Sequence, residues 1–211
     1  MDNNVILEFI EIIGTIAFAI SGSMTAINCE LDLFGTLALG IITSTFGGVF
    51  RDLILAVHPP SVFIDPKYVI TAAVVSLLVF VIVYIKRSAD NVLESPLLFW
   101  MDSLGLGIFS VMGVLNAYQI YGAENGLLLV FCGLITGVGG GLLRDICVNR
   151  LPAIFVRHIY AIAAIVGSVI ILFFVRMGYI GEGIWFGVSA VLALRYFAST
   201  YKWNLPRISK E

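Results

Sequence analysis

Residues 40–52 read GIITSTFGGVFRD and residues 133–145 read GLITGVGGGLLRD, two apolar stretches that each close on an arginine followed by an aspartate. Gly40, Ile42, Thr43, Gly47, Gly48, Arg51 and Asp52 recur as Gly133, Ile135, Thr136, Gly140, Gly141, Arg144 and Asp145 at a constant offset of 93. Upstream, Glu11, Gly14, Phe18, Gly22, Ala26 and Gly35 recur as Asp102, Gly105, Phe109, Gly113, Ala117 and Gly126 at an offset of 91. Downstream, Tyr68 and Ala72 recur as Tyr160 and Ala164 at an offset of 92. The small shifts fall between blocks, where loops absorb them. The chain reads as an internal duplication. Packing alone explains repeated glycines, but not repeated charges.

The composition names the solvent. Of 211 residues, 60% are hydrophobic and 12% charged, and the mean hydropathy is +1.03, whereas soluble domains carry about 25% charged residues. Apolar runs of roughly 17–25 residues cross a bilayer as helices. Seven such runs are predicted: Val5 to Ile27, Leu33 to Val57, Lys67 to Ile85, Leu97 to Ile120, Asn125 to Val148, Ile159 to Val175 and Gly181 to Tyr201. Their length and lack of alternation exclude transmembrane strands. The first run follows Asp2 and contains Glu8 and Glu11 without a basic leader, so it is expected to be a retained helix and not a cleaved signal peptide.

Basic residues set the orientation. With the N-terminus outside, the cytoplasmic connections collect Lys86, Arg87, Arg150, Arg157, Lys202, Arg207 and Lys210, while the outer ones keep Lys67 and Arg176. The C-terminus then lies in the cytoplasm, and the expected location is the cell (inner) membrane. A net charge of −2 and no basic run beyond the tail exclude nucleic acid as a partner.

Three helices per half force the second half to enter the bilayer upside down. The predicted organisation is residues 1–90 as the first three-helix repeat, 91–178 as the second, inverted repeat, and 179–211 as a seventh helix with a cytoplasmic tail. Inverted repeats commonly place a permeation or substrate site near the midplane, where discontinuous helices meet. Adjacent glycines weaken a helix, so the second and fifth spans are expected to break at Gly47 and Gly48 and at Gly139, Gly140 and Gly141. The carbonyls freed there would line a wet cavity, and such oxygens suit a monovalent cation. Thr43 and Thr136, one turn earlier, would add hydroxyls. The competing reading is that the glycines serve close helix contact.

Arg51, Asp52, Arg144 and Asp145 fall inside apolar spans, where an ionised side chain facing lipid costs at least about 2.5–3.5 kcal/mol. They are expected to form a charged pore or gate, the alternative being a purely structural buried ion pair. Because adjacent residues point about 100° apart on a helix, each arginine is expected to pair with a carboxylate from another helix, Glu11 or Asp102. Gly22 with Ala26, and Gly113 with Ala117, suggest close helix faces. Trp100, Trp185 and Trp203 read as interfacial anchors, and Arg195 as a residue that snorkels to the cytoplasmic surface.

Catalytic readings fail. Leu142 breaks a GxGxxG pattern over Gly137 to Gly141, and no GKS or GKT follows. A proteolytic aspartate dyad must share a proton, whereas a neighbouring arginine keeps each aspartate ionised. His58 and His158 neither align nor form HExxH. Cys29, Cys132 and Cys147 lack metal-site spacing and read as small apolar fillers. No enzyme activity, cofactor, catalytic residue or metal site is expected.

Taken together, these residues resemble the trimeric intracellular cation (TRIC) channel family, specifically its prokaryotic members with two GGxxRD repeats. The resemblance implies an all-α integral membrane fold, three helices plus three inverted plus one, and a homotrimer with an hourglass pore in every protomer. It implies conduction of potassium and, less well, sodium, with the kinked second and fifth helices at Gly47 with Gly48 and Gly140 with Gly141. Animal members carry a lysine-containing regulatory motif where this chain has Arg51 and Asp52. The alternative reading is a secondary transporter of a small solute such as glycine, since some prokaryotic proteins with this domain are associated with glycine transport. A membrane scaffold without transport is the third reading.

Overall fold

A computed structural model describes residues 3–86, 96–156 and 159–203. Arg87, Arg157, His158, Arg207 and Lys210, and the expected boundary between the halves at residues 90 and 91, lie outside the described residues. Every regular element among the described residues is a helix, as expected in a medium where backbone groups must pair within their own segment. The order is α1 (Asn3–Asn28), α2 (Leu33–Ile54), α3 (Ser61–Ile64), α4 (Lys67–Lys86), α5 (Pro96–Tyr121), α6 (Gly126–Cys147), α7 (Ala153–Val156), α8 (Tyr160–Met177) and α9 (Ile180–Thr200). Seven of these, all but α3 and α7, are long and apolar enough to span a membrane.

The two repeated helices start alike. Asp32 caps α2 by accepting from Gly35 N at 2.7 Å, and Asn125 caps α6 by accepting from Leu128 N at 3.1 Å, which satisfies donors that the first turn leaves unpaired. Both then run without interruption for 22 residues, through Gly47 and Gly48 and through Gly139, Gly140 and Gly141. The expectation of helices broken at the double glycines is therefore corrected. Glycine permits a break but does not impose one, and here the helical ladder persists because a second helix packs against the glycine face.

α1, α2 and α4 pack on one another, and so do α5, α6 and α8; the two groups meet through α1 against α5 and α2 against α6, while α9 lies on α8 and α5. One apolar core joins α1, α5, α6, α8 and α9 around Val111, Val114, Leu129 and Ile171. A second gathers Phe18, Leu106, Val138, Tyr160 and Val191. The outer face of α4 exposes Ile70, Val74, Leu78, Ile82 and Ile85, side chains suited to lipid tails. Trp100, Trp185 and Trp203 are likewise exposed.

The small-residue faces close within one chain. Gly22 lies against Leu39 and Gly40 of α2, and Gly113 against Cys132 and Thr136 of α6. Of the cysteines, Cys132 is a buried filler as expected, whereas Cys147 is exposed. His58 lies exposed in the connection after α2.

Candidate functional site

The matched glycines mark where α2 crosses α6. A Cβ on Gly47 would overlap the carbonyl oxygen of Thr136, a Cβ on Gly140 would overlap that of Thr43, and a Cβ on Gly139 would stand 3.1 Å from Cα of Gly47. Two backbones thus touch where no side chain fits, as small residues allow in membrane helix pairs. Thr43 and Thr136 donate their hydroxyls to the carbonyls of Leu39 and Cys132, each at 2.6 Å. Such back-bonding leaves the hydroxyl oxygen only as an acceptor. Both threonines are buried with their hydroxyls against a glycine, Thr43 against Gly22 and Thr136 against Gly113, and Thr136 also borders a cavity.

That cavity, about 340 Å³, descends from the α2–α4 connection to the crossing. Its lining includes Ser61, Asp65 and Lys67 from the α2–α4 connection and the start of α4, Glu11, Arg51, Tyr68 and Asn116, and Ser44, Gly48 and Thr136 near the crossing. Lys67 bridges to Glu8 and to Asp65, the latter at 2.9 Å. The hydrogen bond from the Lys67 ammonium, supported by its backbone N–H, holds the Asp65 carboxyl below the usual carboxylate range.

Each arginine bonds the aspartate beside it. Nε and Nη2 of Arg51 donate to Oδ1 of Asp52 at 2.9 and 2.6 Å, and Nε of Arg144 donates to Oδ1 of Asp145 at 2.9 Å. The expectation that neighbours on a helix point too far apart to pair is corrected, because the long arginine side chain folds back at the helix end. The second aspartate oxygen reaches onward: Ser61 N donates to Asp52 Oδ2 at 2.8 Å and Ala153 N to Asp145 Oδ2 at 2.9 Å. Both receive the first N–H of the next short helix.

The partner carboxylates differ between halves. Arg144 Nη1 donates to Asp102 Oδ1 at 2.8 Å and to Ser21 Oγ at 2.7 Å, which matches the pairing read from the sequence. Glu11, by contrast, accepts from Tyr68 Oη at 2.5 Å and from Asn116 Nδ2 at 3.2 Å, and no ion pair joins it to Arg51 among the described residues. Neutral donors have replaced the arginine there, so Arg51 turns toward the cavity instead.

Arg195 departs further from expectation. It does not snorkel: it is 3% exposed, its Nη2 lies 3.5 Å from Asp102 Oδ2, and its Nε donates to Ser103 Oγ at 3.3 Å. The buried carboxylate of Asp102 draws it inward, and the rings of Tyr160 and Phe99, 4.6 and 5.1 Å from its guanidinium carbon, complete the site through cation–π attraction. Ser21, Tyr68, Asn116, Tyr160 and Arg195 were thus missed as site residues. The one available signal was the tyrosine pair repeated at an offset of 92. On this side the recess lined by Thr25, Asp102, Arg144 and Arg150 holds about 50 Å³.

Comparison with known proteins bears on the family and the fold. A family model described as Glycine transporter matches residues 8–84 and again residues 99–176. The UPF0126 inner membrane protein YadS of Escherichia coli (strain K12) is 38% identical over 167 residues, covering 78% of this chain and 77% of YadS. A TRIC cation channel solved to explain conductance superposes with a TM-score of 0.84 at 36% identity, over 97% of this chain and 98% of that one. The TRIC orthologue from Rhodobacter sphaeroides also superposes with a TM-score of 0.84, at 27% identity over 93% of this chain and 98% of its own. With a family model matched twice along its length and a TRIC structure followed nearly end to end, the chain belongs to the TRIC family, together with the UPF0126 membrane proteins.

Proposed function

We propose that this protein is a potassium-permeable monovalent cation channel with one pore per protomer of a homotrimer. The observation that carries the reading is the cavity of about 340 Å³ whose lining includes Gly48 and Thr136, neighbours of the α2–α6 glycine crossing. Carboxylates and hydroxyls along a water-sized path attract cations and replace their hydration, and burial sharpens the field. The structures that share the fold are described as TRIC cation channels, one of them as trimeric, which supports both conduction and assembly.

The pore forms between two inverted repeats, residues 1–90 and 91–178, braced by residues 179–211. The chain sits in the inner membrane with its N-terminus outside and its C-terminus in the cytoplasm, so the larger cavity opens outward. The permeant ions are potassium and sodium, and no cofactor takes part. Gly47, Gly139 and Gly140 shape the crossing, Gly48 and Thr136 face the outer cavity, and Gly141 holds the mirrored position in the second half. Thr43 supports the crossing from behind. Arg51 with Asp52, and Arg144 with Asp145, stand on either side, with Glu11 and Asp102 as the balancing acids.

The second reading is a carrier for a small solute such as glycine, favoured by the description of the matching family model and by a cavity that holds both Arg51 and Glu11. Purified protein in proteoliposomes and planar bilayers separates the two. A channel gives unitary currents and flux that rises with the potassium gradient. Saturable glycine counterflow without unitary currents would overturn the channel reading in favour of the carrier.

A further inference from the structure

We propose that the pathway is shut in its second half by an apolar seal of Leu106, Val138 and Tyr160, held closed by Arg195 from the helix outside the repeat. The proposal rests on the pore described above and assigns its gate.

Residues that correspond across the duplication stand in unlike surroundings. Thr15 and Thr45 line the first-half cavity. Their counterparts at offsets of 91 and 93 are Leu106 and Val138, packed with Phe18 in one apolar cluster; Thr15, at 1% exposed, is as buried as these, so what differs there is the chemistry of the wall. The glycines tell the same story. A Cβ on Gly48 would meet only Arg51 Nη2, at 3.9 Å, whereas one on Gly141 would meet Tyr160 Oη at 3.2 Å. Tyr68 borders the open cavity and donates to Glu11; its counterpart Tyr160 is 2% exposed and lies over Gly141. Where the first half has a cavity of about 340 Å³, the second has a recess of about 50 Å³.

Two threonines exchanged for leucine and valine turn a wettable wall into an apolar one. A constriction of that kind excludes ions by shedding water, without any blocking charge. Tyr160 completes the seal because its ring is pinned: its Oη donates to Asp102 Oδ1 at 3.4 Å, and the Arg195 guanidinium carbon sits 4.6 Å from the ring centroid. Arg195 comes from α9, which has no counterpart in the first half, so only the second half receives this clamp. Arg195 acts through Tyr160 and is a positioning residue.

The test restores the first half's chemistry to the second. Leu106→Thr combined with Val138→Thr is expected to raise open probability in planar bilayers about tenfold, a modest bias on a two-state gate, and Arg195→Met to raise it in the same direction. A second measurement is independent of conduction. With Cys29, Cys132 and Cys147 replaced by alanine, Thr45→Cys is expected to react with a membrane-impermeant methanethiosulfonate from the first-half side. Val138→Cys is expected to stay unreactive from both sides until Arg195→Met is added. Labelling of Val138→Cys as fast as Thr45→Cys in the otherwise unaltered protein overturns the seal, as does an unchanged open probability in the threonine pair. If the parent protein passes no current while Val138→Cys stays sealed and Thr45→Cys reacts, the channel reading falls and the seal stands. If the parent conducts and Val138→Cys labels freely, the reverse holds.

Discussion

Replacing Gly47 by alanine is the sharpest probe of the helix crossing. The new Cβ would occupy the space of the Thr136 carbonyl oxygen, and the equivalent change at Gly140 would collide with that of Thr43. Neither obstacle is the flexible end of a side chain, so α2 and α6 must part. Overpacking of this kind costs about 1–3 kcal/mol, and parting the helices weakens neighbouring dispersion contacts that decay within an ångström. Alanine returns up to about 1 kcal/mol through its better helix propensity. The expected net loss is about 1–2 kcal/mol for Gly47→Ala or Gly140→Ala, a fall of about 2–8 °C in melting temperature for a chain of this size. Gly48 is the internal control. A Cβ there has an ordinary contact with Arg51 Nη2 at 3.9 Å, so Gly48→Ala keeps the propensity gain and melts at or above the parent temperature, while its added methyl alters ion flux. Thermal unfolding of detergent-solubilised protein, followed by loss of the monodisperse species, measures all three. Equal melting of the Gly47→Ala and Gly48→Ala proteins would refute the backbone crossing.

Asp102→Ala removes a carboxylate shared by two buried guanidinium groups, Arg144, which keeps Asp145, and Arg195, which keeps Ser103, and is expected to cost about 3 kcal/mol; a loss below about 1 kcal/mol on the same thermal assay would show that water already reaches the cluster. Arg51→Ala removes a charge that faces the cavity, so assembly is retained while selectivity or open probability changes in planar bilayers; unaltered currents would make Arg51 structural. Asp65 titrates below its ordinary value because Lys67 bonds its charged form. A folded-state pKa below the unfolded one gives stability that is present above the unfolded value, about pH 3.9, and lost as pH falls through the folded one. Asp65→Asn therefore lowers the neutral plateau slightly, leaves the low-pH end where it was and so flattens the acid limb of a stability profile; an unchanged acid limb would remove the Lys67 contact from the account.

The helices were legible because their physics is local. Seven apolar runs of spanning length have few competing folds in lipid, and offsets of 91 to 93 tie them into two comparable sets. Asp102 as the partner of Arg144 was legible from symmetry alone. The continuity of α2 and α6 was not, because glycine pairs mark a break and a close crossing identically in sequence, and only the position of the partner backbone decides between them. Arg195 was misread for a related reason. Near the end of a span a snorkelling arginine and an inward one have the same neighbours in sequence, and what turns this one inward is a carboxylate 93 positions away.

The repeated arginine and aspartate have separable tasks, and the geometry assigns them differently. In both halves the aspartate accepts from its arginine with one oxygen and from the next short helix with the other, so it joins the end of α2 to α3 and the end of α6 to α7. That use requires an acceptor that can offer both oxygens. It is identical in both copies and needs no pore. The arginine's remaining donors are where the copies part: those of Arg144 are spent on Asp102 and Ser21, while Arg51 borders the open cavity. The two copies therefore agree in what the aspartate holds and differ in what surrounds the arginine.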